Sequence, residues 1–290
     1  MIIDFHTHVF PPQIKKNRSN YIDSDPCFAI LYSSKDARLA TADELIASMD
    51  RSGVDVSVIL NIGWTTHELC VETNDYILES IARYPDRLVG FGSVQPQSYQ
   101  TALGELERCA KGGIKGVGEI RPDIQLLDLG DEEVMAPFAN MLSKHRLILL
   151  THSSEPVGHI YPGKGAVTPE ILYPFISSHP ELTIVCSHWG GGLPFYALMP
   201  EVKQAVQNVY FDTAASPLLY HHQIYEWVIP LVGEDRILFG SDYPLLPQER
   251  IIKEIQSLNL PEATKNLILG DNARRLLGID WWSQVTEQVC

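Results

Sequence analysis

Two histidines separated by one residue, His6 and His8, close the first apolar run of the chain. On an extended strand residues i and i+2 face the same side, so the pair sets two imidazoles next to each other, which suits a metal ion. Three more metal-type side chains fall just past other apolar runs: His152 after RLILLT (146–151), His188 after LTIVCS (182–187) and Asp242 after RILFGS (236–241). Each alone has an ordinary reading. A lone HxH is a weak signal, a single histidine can be a satisfied buried side chain, and the Asp242 of SDYP can cap a turn. The ordinary readings do not account for the joint placement, which predicts a metal centre.

The elements that must position these groups follow one rhythm. Short apolar, β-branched runs lie at 1–5, 54–62, 87–94, 113–120, 146–151, 182–187, 208–213 and 236–241. Near-continuous apolar runs are what a strand buried on both faces requires, hence a parallel sheet. Helical segments are expected between them. Residues 41–52 open with Thr41 and Glu44 as a capping box and end at Gly53. Residues 74–84 stop before Pro85. Segments 98–111, 131–145, 168–178, 193–206, 221–232 and 247–257 fill the other gaps. Eight strands alternating with helices predict a (β/α)₈ TIM barrel, in which residues at the C-terminal strand ends form the active site. An open doubly wound sheet is the rival, weakened by the lack of a Gly-rich turn after the first strand.

Two stretches interrupt the rhythm. Residues 9–40 are expected to form a long loop on the catalytic face, and residues 153–167 a second one. The tail 261–290 suggests added helices, and the whole of 1–290 is expected to be a single barrel domain. The 290 residues are 45% hydrophobic and carry a formal net charge of −14. So acidic a surface repels phosphate backbones and anionic lipid, which argues against nucleic-acid and membrane partners. Five scattered cysteines without CxxC pairing read as reduced thiols, and the cytoplasm is the expected location.

Here the sequence resembles a known family. IIDFHTHVF at the start is similar to the opening of the amidohydrolase superfamily. SHWGGGLPF (187–195), VYFDTAAS (209–216), ILFGSDYPLLP (237–247) and NLILGDNARRLLG (266–278) resemble its amidohydrolase-related branch, which holds metal-dependent hydrolases and non-oxidative decarboxylases such as the aminocarboxymuconate-semialdehyde decarboxylases. The resemblance spans nearly the whole chain and specifies the substrate poorly. It implies His6 and His8 as a ligand pair, His152 as a third ligand, and Asp242 as a metal-touching carboxylate that handles a proton. His188 is implied as a ligand in two-metal members or as a hydrogen-bonding partner of bound water or substrate in one-metal members. Glu119 in VGEIRP ends the fourth run, where some members carry a bridging carboxylate; pairing with Arg121 is its alternative.

The expected cofactor is one or two divalent ions, Zn²⁺ first, with Mn²⁺, Fe²⁺ or Co²⁺ also suited to mixed histidine and carboxylate ligands. The expected partner is a small molecule. Arg121, at the pocket rim, would fork to a substrate carboxylate or pair with an acidic neighbour. Trp64, His67, His159, Tyr161 and Trp189 lie in segments that should face the site. Asp4, two residues before His6, should point the same way, as an orienter of a ligand histidine or a buried structural acid. The resemblance also allows a homodimer, with Trp281 and Trp282 packing within or between chains. With Glu119 present, the leading expectation is a hydrolase in which activated water attacks an amide, ester or lactone. The alternative is a decarboxylase of an unsaturated or aromatic carboxylic acid using the same ligands.

Overall fold

The computed structural model describes residues 1–279. All eight apolar runs form strands: β1 Ile3–His8, β2 Val56–Leu60, β3 Leu88–Gly92, β4 Gly116–Ile120, β5 Ile148–Thr151, β6 Ile184–Cys186, β7 Val209–Asp212 and β8 Ile237–Leu238. They pair in parallel in sequence order. Backbone bonds from Phe5 N to the Phe239 carbonyl (2.8 Å) and from His8 N to the Tyr243 carbonyl (2.7 Å) bring β1 against the β8 end. The result is a (β/α)₈ TIM barrel.

Alternation along each strand divides the core. Val56, Val58 and Leu60 join Phe91, Leu150 and Val185 in one cluster that Ala273 and Leu277 help to cover. Ile59, Leu149, Ile184 and Cys186 face a second cluster shared with the surrounding helices. The Ala42–Ser52 helix carries the expected capping box and ends on a left-handed Gly53. Among the described residues no helix is long and apolar enough to cross a membrane. Cys27, Cys70, Cys109 and Cys186 are buried and free.

The 9–40 segment is not a plain loop. It contains three short helices, Pro12–Lys16, Arg18–Ser24 and Pro26–Tyr32. Pro12 and Pro26 sit at helix starts, where the missing N–H costs nothing, and Asp25 accepts from Phe28 N at 2.8 Å. The proline and polar content that suggested a loop therefore marks helix ends. The helices bury Ile14, Phe28 and Tyr32 against Phe10 and Trp64, with the Phe28 and Trp64 rings stacked at 5.5 Å. Past β8 the chain continues through Glu262–Asn266 and Asn272–Leu277. Trp281 and Trp282 lie outside the described residues.

Candidate active site

Six side chains converge at the C-terminal strand ends. His6 and His8 come from β1, Glu119 from β4, and His152, His188 and Asp242 follow β5, β6 and β8 directly or within a few residues. His6 Nε2 and His8 Nε2 are 3.1 Å apart. Asp242 Oδ1 lies 3.3 Å from His8 Nε2 and 3.9 Å from His6 Nε2. Glu119 sits between the two halves of the cluster. Its Oε2 is 3.9 Å from His8 Nε2, while its Oε1 is 2.9 Å from His152 Nδ1 and 3.5 Å from His188 Nε2. Glu119 does not pair with Arg121. All but Asp242 are buried as residues, and the Asp242 side chain is 13% exposed.

Local backbone makes this convergence possible. Residues 188 to 192 all have left-handed φ, so the chain turns sharply after β6 and holds His188 inward. At Gly191 a Cβ would lie 2.3 Å from the Ser154 carbonyl, so the β5 and β6 loops touch only because that residue is glycine. Gly118 has the same function beside Glu119, since a Cβ there would lie 2.4 Å from the Leu150 carbonyl.

Asp212, at the end of β7, is the functional candidate that sequence reasoning missed. Its Oδ2 accepts from His6 Nδ1 at 2.8 Å, and its Oδ1 accepts from the backbone N–H groups of His188 (2.9 Å) and Ala214 (3.0 Å). The rule that found the histidines, polar residues ending apolar runs, also selects Asp212. Asp4, by contrast, accepts from His6 N at 3.2 Å but makes no hydrogen bond to the His6 ring. The β1 register against β2 slips by one residue between Asp4 and Thr7, which breaks the i, i+2 parity. Asp4 instead accepts from Ser241 Oγ at 2.6 Å and Gln248 Nε2 at 2.8 Å, tying β1 to the β8 end.

The remaining candidates divide. Arg121 is buried rather than at the rim, 3.3 Å from Asp123 Oδ2, because Gly63 and Gly165 let the chain close over it. Trp64 lies in the aromatic cluster beneath the 9–40 insertion. Trp189 packs edge-on to Tyr225 and donates to Ser216 Oγ at 2.9 Å. His67 opens the His67–Arg83 helix, with its Nδ1 buried and without a partner among the described residues. Tyr161 donates to Glu155 Oε2 at 3.2 Å, and its ring lies beside exposed His159. None of these five touches the six-residue cluster through a hydrogen bond.

The donor set fits a divalent cation. The partners of His6 Nδ1 and His188 Nδ1 are the Asp212 carboxylate and the Ala214 carbonyl, which can only accept. Both Nδ1 atoms therefore carry hydrogen, and both Nε2 atoms turn into the pocket, as ligand histidines require. Two triads, His6–His8–Glu119 and Glu119–His152–His188, each have donor atoms within 4.8 Å of one another. The charge balance agrees. Burial opposes charge on His6, but Asp212, Glu119 and Asp242 prevail and raise it to about 10. Burial likewise opposes charge on His188, and Glu119 and Asp242 raise it to about 9. Burial opposes ionisation of Glu119, yet the hydrogen bond from His152, with His188 and His6, holds it well below the carboxylate range. Burial also opposes ionisation of Asp242, and its histidine neighbours lower it to about 2. The pocket is thus strongly anionic and draws in positive charge, as protons or as a cation. His152 is the exception: burial and then Arg121 pull it down to about 4, so it is neutral.

All three of Asp212's partners are donors, so asparagine would present its NH₂ to one of them. Asp212→Asn is expected to weaken metal affinity about 10- to 100-fold with the fold intact. Competition with a chromophoric chelator measures this, and unchanged affinity would remove Asp212 from the site.

Comparison with known proteins agrees with the geometry. The chain is 23% identical to the 2-amino-3-carboxymuconate-6-semialdehyde decarboxylase of Dictyostelium discoideum, over 96% of this chain and 92% of that one. It is 24% identical to the gamma-resorcylate decarboxylase of Rhizobium radiobacter, over 73% of this chain and 77% of that one. In fold it is similar to the 5-carboxyvanillate decarboxylase of Novosphingobium aromaticivorans, solved with manganese and 4-hydroxy-3-methoxy-5-nitrobenzoic acid. The TM-score is 0.78 at 21% identity, covering 96% of each chain. These relatives overturn the hydrolase expectation, because they are decarboxylases. The inference from Glu119 to hydrolysis failed for a physical reason: a carboxylate between two histidine triads balances cationic charge whichever bond is broken. The amidohydrolase family profile matches residues 3–279. With the strand-end histidines and carboxylates of that match in place, this chain belongs to the amidohydrolase family.

Proposed function

We propose that this chain is a divalent-metal-dependent, non-oxidative decarboxylase of a small aromatic or unsaturated carboxylic acid. The observation that carries the reading is the buried convergence of His6, His8, Glu119, His152, His188 and Asp242, in a chain whose relatives above are decarboxylases. His6, His8, Glu119 and His152 would hold the ion, with His188 and Asp242 beside it. When bound, a divalent cation supplies Lewis acidity toward substrate oxygens. Zn²⁺ and Mn²⁺ both suit this donor set, and manganese is the ion in the Novosphingobium enzyme.

Removing a carboxylate as CO₂ requires a proton for the carbon that carried it. Asp242 delivers that proton. It is the more open of the two pocket carboxylates, 13% exposed against 5% for Glu119. Its histidine neighbours outweigh burial and set it at about 2, so it rests as a carboxylate. It takes the proton from neighbouring His188, whose imidazolium Glu119 and Asp242 favour, against burial, up to about 9, and passes it on as a strong acid. The proton adds to the carbon bearing the carboxylate, the bond to the carboxylate breaks, and its electron pair restores the π system as CO₂ leaves. His188 Nε2 is a second place to hold a proton, with the ring fixed by Nδ1 on the Ala214 carbonyl at 3.0 Å. The 9–40 insertion shields the site from water. Its Tyr32 lies close enough to Asp242 and Glu119 for their charges, after burial itself, to raise the phenol.

Metal-loaded protein, incubated with 2-hydroxy- and 2-amino-substituted aromatic acids and unsaturated analogues, should release one CO₂ per acid consumed. A chelator should stop the release and added Mn²⁺ or Zn²⁺ restore it. Turnover of esters, amides or lactones with no CO₂ from any acid would refute the reading.

A further inference from the structure

We propose a second, peripheral binding site, for a small molecule carrying two or more phosphate or carboxylate groups, in the cleft between the 9–40 insertion and the Ala42–Ser52 helix. The cleft has a volume of about 670 Å³, within the range of small-molecule sites. Lys15, Arg18, Arg38 and Arg51 line it, and Glu44 is the one acidic residue there. In a chain with 36 acidic and 22 basic residues this is a local inversion of charge.

The four cations are not equivalent. Lys15 is answered by Glu44 at 2.5 Å. Arg18 is used by the fold: its guanidinium donates to the Tyr32 and Ser34 carbonyls and so holds one wall. Arg38 and Arg51 are exposed and have no acidic partner among the described residues. The nearby acids of the same helix are taken elsewhere, Asp43 by Arg83 and Asp50 by Arg87. Two unanswered guanidiniums in one cleft, lined also by Ala40, Ala47 and Pro244, suit a compact polyanion.

None of the six metal-cluster side chains lines this cleft, so the two sites are separate. They share a border. Tyr243 lines the cleft, follows Asp242 directly, and accepts a hydrogen bond from His8 N at 2.7 Å. Its hydroxyl donates to the Glu44 carbonyl at 3.3 Å.

The test is calorimetric titration of the metal-loaded protein with inorganic pyrophosphate and, separately, with benzene-1,3-dicarboxylate. At least one probe should bind saturably below about 5 mM and bind more weakly in about 0.5 M salt. Arg38→Ala/Arg51→Ala should weaken binding about 10-fold or more; both residues are exposed, so the fold should persist, as circular dichroism would check. His6→Ala/His8→Ala should leave binding within about twofold, since neither side chain lines the cleft and the bond from His8 to Tyr243 is backbone to backbone, which alanine keeps. Pyrophosphate binding alone identifies a phosphate ligand, dicarboxylate binding alone a carboxylate ligand, and binding of both a site that reads charge. Absence of binding by both probes, equal binding by the arginine variant, or binding lost in the histidine variant would overturn the proposal.

Discussion

Asp242→Asn is expected to lower turnover by about 10³-fold or more while metal content and thermal stability stay near wild type. The residue has a left-handed backbone, φ 63°, a region that asparagine enters as readily as aspartate. The substitution is therefore mild for the chain, whereas alanine would add strain. It removes the group that holds and donates the proton, because an amide nitrogen cannot take that role. The initial rate of CO₂ release and metal analysis on the same preparation check both halves. Turnover within about tenfold of wild type would remove Asp242 from the chemical step.

The second large effect belongs to the β1 pair. His6→Ala/His8→Ala is expected to abolish stoichiometric metal binding and, with it, decarboxylation. The variant deletes two of the three donors of the His6–His8–Glu119 triad, and the affinity of a catalytic site depends on the full ligand count. The fold should survive, since Asp212 keeps the His188 and Ala214 N–H groups as partners. Mass-spectrometric metal analysis after reloading should find about one equivalent or more in wild type and almost none in the variant. Retention of a full equivalent would place the ion elsewhere.

Much of this architecture was legible in the sequence. All eight strands stood out because each is buried on both faces and so reads as an apolar run. Thr41, Glu44 and Gly53 marked one helix because capping chemistry is local. The convergence of His6, His8, His152, His188 and Asp242 could be anticipated because barrel topology turns strand ends into one place. What stayed hidden depended on non-local geometry. Asp4 was left open between orienting a ligand histidine and structural burial, and a one-residue slip in register that no spacing reveals accompanies the second outcome. Arg121 was expected at the rim, and its burial rests on Gly63 and Gly165, which are distant in sequence. Asp212 fitted the strand-end rule but had to be paired with His6 across 206 positions. The reaction was the hardest to read, since hydrolysis and decarboxylation call on the same ligands.

The most direct test of that reaction is to run the metal-loaded enzyme in D₂O with an acid that it consumes, and to locate the label in the product. A decarboxylase that protonates the vacated carbon gives one deuterium at that carbon and one CO₂ for each acid lost. A product that keeps its carboxylate, with solvent oxygen at a cleaved carbonyl, would contradict the account.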